Sequence, residues 1–95
     1  MRWAMDCDFK GNELKKEVVS RQYCGPECKI TKECTHFAWN EFNGKDNPEC
    51  WLKKGPVSES DAYYKKGAVC GYIPQRGNLF LIISQTLLSE NEYIY

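Results

Sequence analysis

The chain carries no excess of either charge: thirteen Lys and Arg balance thirteen Asp and Glu. Bulk attraction to DNA, RNA or an anionic membrane surface is therefore not expected. Histidine is almost missing, with His36 alone, so any Ser-His-Asp or Cys-His scheme would have to run through that one ring. No residue in the sequence offers it an orienting partner, and the acidic residues are scattered without a paired motif. No catalytic residue is expected. No C-x-x-C pair occurs, which removes the usual redox motif. No Asn is followed two residues later by Ser or Thr, so N-glycosylation is not expected. Internal repeats, heptads and low-complexity tracts are lacking. The apolar run Leu79-Phe80-Leu81-Ile82-Ile83 is too short to cross a membrane as a helix.

What the chain does have is aromatic residues and cysteine. Apolar residues make up 42% and aromatics 14% of 95 residues, which rules out the composition of a disordered chain and fits a single small domain. Six cysteines in so short a chain read as a disulfide framework formed in an oxidising compartment. A single core of this size leaves a thin stability margin, so such staples matter. The segment Met1-Arg2-Trp3-Ala4-Met5-Asp6 does not read as a secretory signal, because charge comes early and no apolar stretch follows. The cysteines nevertheless point to an extracellular or secreted protein.

Punctuation by turn residues divides the chain. Trp3 to Phe9 reads as a first strand, Gly11-Asn12 turns it, and Leu14 to Val19 reads as a second strand ending in β-branched Val18-Val19. Tyr23 to Thr31 reads as the one helix, starting near Tyr23 or Cys24 and not at Ser20, because Pro26 is tolerated only in a first turn. Cys24 and Cys28 then share a helical face, and Cys28, Ile30 and Cys34 are expected to turn inward. Thr35 to Glu41 is a central strand with Phe37 and Trp39 on one face and His36 and Ala38 on the other. Asn43-Gly44 and Asn47-Pro48 mark the turn to a returning strand, Cys50 to Lys53. Gly55 to Lys66 reads as a polar loop and Ala68 to Ile73 as the closing strand.

Cys24 and Cys28 on a helix, Cys34-Thr35-His36-Phe37-Ala38-Trp39, and Cys50-Trp51-Leu52-Lys53 form a combined pattern, flanked by Cys7-Asp8-Phe9 and Val69-Cys70-Gly71-Tyr72. The pattern resembles the PAN/Apple domain family over residues 3–73. Gly25-Pro26 departs from the family's usual helical composition, and residues 74–95 form a C-terminal apolar extension outside the module. The resemblance implies an α+β fold, a five-stranded antiparallel sheet cradling one helix. It also implies nested disulfides, Cys7–Cys70, Cys24–Cys50 and Cys28–Cys34. The function it implies is non-catalytic recognition of extracellular carbohydrate or protein, lectin-like in the first case, with no cofactor.

The cysteines could in principle hold zinc with His36, but C-x3-C-x5-C-x-H is not the spacing of a structural site, so no metal is expected. The family supplies no binding motif that can be carried over residue by residue. On side-chain chemistry alone the candidate ligand-binding residues are Trp39, Trp51, Lys53, Tyr63 and Tyr64. Flat rings stack on sugars and anchor protein interfaces, and a lysine fixes orientation. The bland reading of Trp39 and Trp51 is that they fill the core. Lys15-Lys16, Lys53-Lys54 and Lys65-Lys66 are ordinarily solvated pairs, with a site for a sulfated or phosphorylated polymer as the sharper alternative. A different class of function, a secreted structural or self-assembling protein, would use the apolar tail from Leu79 to Leu88 for self-association.

Overall fold

A computed structural model describes residues 1–41 and 47–77. Five strands form one antiparallel sheet: β1 (Arg2–Asp8), β2 (Glu13–Glu17), β3 (His36–Asn40), β4 (Glu49–Lys53) and β5 (Tyr63–Tyr72), in the order β1-β5-β3-β4-β2. One helix of ten residues, α1 (Arg21–Ile30), packs across β3 and β4. A short helical turn, α2 (Pro74–Gly77), follows the sheet. The expected five-stranded α+β architecture is present. The Asn43-Gly44 turn and the apolar tail from Leu79 to Leu88, with its expected self-association, lie outside the described residues.

The alternation along β3 decides the layers. Phe37 and Trp39 point to the helix side and join Met1, Cys24, Cys28, Cys34, Cys50, Leu52, Val69 and Ile73 in the main core. His36 and Ala38 point to the opposite face. That face is covered as well, because Phe9 and Val57 close over Ala38 and Cys70. Phe9, between β1 and β2, and Val57, between β4 and β5, thus form a partial second layer that shelters the centre of this face.

The structure pairs the cysteines in the nested order: Cys7–Cys70, Cys24–Cys50 and Cys28–Cys34, with Cα separations of 5.4, 5.4 and 5.2 Å. All six cysteines are bridged, so none is left as a thiolate for metal or catalysis.

Several boundaries differ from the sequence-based expectation, each for a physical reason. The helix starts at Arg21, with Ser20 as its N-cap residue, and Pro26 sits inside it. Pro26 removes the amide bond to the Gln22 carbonyl, but both residues are exposed, so water can serve that carbonyl. Two disulfides on the opposite face hold the helix in place. Ile30 does not turn inward: it is 77% exposed, while Cys28 and Cys34 are fully enclosed. Tyr63 to Lys66, expected in a loop, belong to β5, where Tyr63 and Tyr64 pair with Asp8 and Cys7. A register shift between Met5 and Cys7, with Asp6 at φ 59°, lets β5 continue past Ala68. Lys65 to Ala68 stand against Asp6 alone, an irregularity of the ladder that no hydrophobic period announces.

Packing also continues past Ile73. Pro74 is buried, and Arg76 reaches back to the C-terminal end of α1. Its Nη1 donates to the carbonyls of Cys28, Thr31 and Cys34 at 3.2 Å, and its Nη2 to that of Lys29 at 2.7 Å. The Cys28 and Thr31 carbonyls also accept from the Thr31 and Cys34 amides, so Arg76 adds a second donor to these two, and its positive charge suits the C-terminal end of the helix. The contacts of the module therefore extend three residues beyond the expected limit at Ile73.

Candidate functional site

A wide concavity follows from the reach of one short helix. Helix α1 covers β3 and β4, and β1, at the far edge of the sheet, is left beyond its flank. Between them runs a groove of about 790 Å³. The strand wall is Met1, Trp3, Ala4 and Met5, the floor is Phe37 and Val69, and the helix wall is Arg21, Gln22, Gly25 and Pro26. The helix residues recur at a spacing that puts them on one face. A volume of this size, mostly apolar with few polar groups, is typical of binding sites.

Two glycines shape the groove. Gly71 lies between Trp3 on β1 and Phe37 on β3 in the register. A Cβ there would meet Phe37 Cε1 and Trp3 Cβ, both at 2.6 Å, so only glycine lets the two side chains close over β5. Gly25 brings the helix onto Met1 and Phe37, where a Cβ would lie 2.9 Å from Met1 Sδ and 3.4 Å from Phe37 Cζ. Met5, at the rim, is 53% exposed.

The residues expected to bind ligand are not brought together. Trp39 is buried in the main core, and its Nε1 donates to the Val19 carbonyl at 2.9 Å. It is a core ring with its polar atom satisfied. Lys53 is 3% exposed; its Nζ donates to the Gly11 carbonyl at 3.0 Å and to Glu13 Oε2 at 3.3 Å. It ties the Gly11-Asn12 turn to β4. Trp51 is half-buried on the face away from α1, its Nε1 donating to Glu49 Oε1 at 3.3 Å. Lys16 Nζ stands 5.3 Å from its ring centroid, a cation–π contact that occupies one ring face.

Tyr63 and Tyr64 are exposed on β5. The Tyr63 hydroxyl donates to Asp8 Oδ2 at 3.2 Å, and partial burial followed by that carboxylate's charge raises its pKa. Trp51 lies two strands away from β5, level with Cys70, and Tyr64 lies on β5 beyond the register shift. The expected rings thus occupy three separate places.

The basic pairs do not form a positive patch. Lys15 pairs with Glu17 at 2.8 Å, Lys16 with Glu49 at 3.5 Å, Lys53 with Glu13 at 3.3 Å and Lys65 with Asp8 at 3.4 Å. The Glu17 hydrogen bond and charge raise the pKa of Lys15, which holds that ammonium charged but locally matched.

His36 is 1% exposed. Its Nδ1 lies 2.7 Å from Thr35 Oγ1, and that hydroxyl donates to the Gly55 carbonyl at 2.7 Å. One hydroxyl proton cannot serve both, so the network assigns the proton between them to His36 Nδ1. Phe9 meets the ring edge-on at a centroid distance of 5.1 Å. Burial, then the Lys53 charge, lowers the His36 pKa to about 4. This is a neutral structural imidazole, locked by its neighbours.

Sequence reasoning missed the groove residues. Met1, Met5, Arg21 and Pro26 form no linear motif, and the signal that could have found them is geometric: a ten-residue helix cannot span a five-stranded sheet. No family model and no curated protein matches the chain. No helix among the described residues is long and apolar enough to cross a membrane.

Proposed function

We propose that this chain is a PAN/Apple-like, non-catalytic recognition module of an extracellular protein, and that it binds an apolar segment of a protein partner in the groove between β1 and α1. One observation carries this reading: a 790 Å³ groove walled by Met1, Trp3, Met5, Phe37 and Val69 on a disulfide-braced scaffold. Apolar side chains of a partner gain from leaving water there, and a sugar would find few polar groups to satisfy its hydroxyls. Carbohydrate stacking on Trp51 is disfavoured on the ring face that Lys16 occupies. Three disulfides are in keeping with an oxidising compartment.

Peptide display against the folded protein, counter-screened against Met5→Lys, tests the reading. Met5 is exposed, so the variant should fold normally. Enrichment of sequences with apolar residues at alternate positions, lost on the variant, is the expected result. Equal enrichment on both proteins, or specific capture on a glycan array that Met5→Lys leaves intact, would reject the groove.

A further inference from the structure

We infer that the groove selects an acidic-apolar protein segment, with apolar side chains toward the Met1–Trp3 end and a carboxylate at Arg21. The inference rests on the groove reading above and adds the chemistry of the occupant. The groove has a direction. Trp3 stands opposite Gly71 and Met5 opposite Val69, so β1 runs along it from Met1 to Met5, about 13 Å at the strand rise. That length suits an extended segment of about five residues.

On the helix wall, Gly25 packs against Met1 and Phe37, and Arg21 lies about one turn nearer the helix N-terminus. That end of α1 adjoins Val19, whose carbonyl accepts from Trp39 Nε1. Trp39 is level with Val69, and Val69 with Met5. Arg21 therefore stands at the Met5 end.

Charge completes the argument. Of the groove's lining residues, Arg21 carries the one charged side chain, and no carboxylate is among them. Arg21 is exposed, and among the described residues it forms no ion pair, the five salt bridges all lying elsewhere. A cation without a local counter-charge at one end of an apolar trough complements an occupant with the opposite end group, and a basic segment there would be repelled. A guanidinium is also suited to grip a carboxylate through two parallel donors.

Fluorescence anisotropy on the full chain tests this with labelled pentapeptides Leu-Thr-Leu-Thr-Asp and Asp-Thr-Leu-Thr-Leu, each against its Asn counterpart. The two orders cover both running directions. In one order the Asp peptide should bind about three- to fivefold more tightly than the Asn peptide at low salt, and added salt should narrow the gap. Arg21→Gln should abolish the preference, and Arg21→Glu should reverse it; circular dichroism checks that both variants keep their fold. Equal affinity for Asp and Asn in both orders overturns the inference and leaves the groove standing. No binding by any of the four peptides overturns the inference and the groove reading together. A dimer in sedimentation that the Asp peptide fails to dissociate would assign the groove to a second copy and overturn the inference.

Discussion

The single histidine shows how burial fixes a residue's chemistry. His36 has its Nδ1 proton directed to Thr35, its ring against Phe9 and the Lys53 ammonium nearby, and its pKa falls to about 4. The unfolded chain, with an ordinary histidine near 6.5, binds a proton between about pH 6.5 and 4 that the folded chain refuses. Stability from this residue is thus complete above pH 6.5 and lost as pH falls through 4, on the order of 3 kcal/mol in all. Urea melts of wild type and His36→Asn across that window should show a shallower pH slope in the variant, since the carboxylates are common to both. Identical slopes would mean that the ring is protonated in the fold. Lys53 makes the parallel case. Its ammonium holds Gly11 and Glu13, so Lys53→Met should cost about 1–2 kcal/mol by removing both hydrogen bonds. Peptide affinity should stay unchanged, and a lost affinity in folded variant protein would return Lys53 to the binding site.

At the scale of elements, Gly71 is the most tightly enclosed of the described glycines. Gly71→Ala forces Trp3 or Phe37 aside and should cost about 1–3 kcal/mol as an overpacked site. It should also weaken peptide binding by distorting the groove floor; calorimetry on the same sample reads both, and an unperturbed melt would show that β1 gives way freely. Helix α1 depends on Arg76 in a different way. Arg76→Ala removes the guanidinium hydrogen bonds to the carbonyls of Cys28, Lys29, Thr31 and Cys34 and should destabilise by about 1 kcal/mol. Amide exchange should quicken in the last turn of α1, and exchange rates that do not move would remove Arg76 from the cap. These two residues also mark where the sequence was legible and where it was not. The alternation of Phe37 and Trp39 against His36 and Ala38 was readable because a strand repeats every two residues. Cys24 and Cys28 were readable as one helical face for the same kind of reason. Arg76 was hidden because its partners lie more than forty residues away in the chain, and no local pattern reports such a contact. The start of β5 was hidden by the register shift opposite Asp6, and the groove by the length of α1 against the width of the sheet. Lys53 and Trp39 were candidates for binding, with core filling the other reading of Trp39, because side-chain chemistry alone does not say which face is roofed.

Across the whole molecule, the three disulfides divide by burial and by the length of chain they enclose. Cys24–Cys50 and Cys28–Cys34 lie in the main core and are fully enclosed, whereas Cys7 is half-buried near the sheet edge. A reductant reaches a sulfur only where it is accessible, so Cys7–Cys70 should open first. That bridge also closes the longest loop, 63 residues, worth about 4 kcal/mol in the chain-entropy model. Its loss removes a large share of a small domain's stability, yet the two inner bridges still hold α1 on β3 and β4. The paired variant Cys7→Ser with Cys70→Ser should therefore fold, melt much earlier, and bind the groove peptides more weakly, because β1 is one wall of the groove and the bridge ties it to β5. Alkylation after graded reduction, read by mass spectrometry, should label Cys7 and Cys70 before the other four. Earlier labelling of Cys28 and Cys34 would mean that the helix lifts from the sheet more readily than β1 leaves its edge. Unchanged peptide affinity in the folded double variant would separate β1 from the site and move the binding surface elsewhere on the domain.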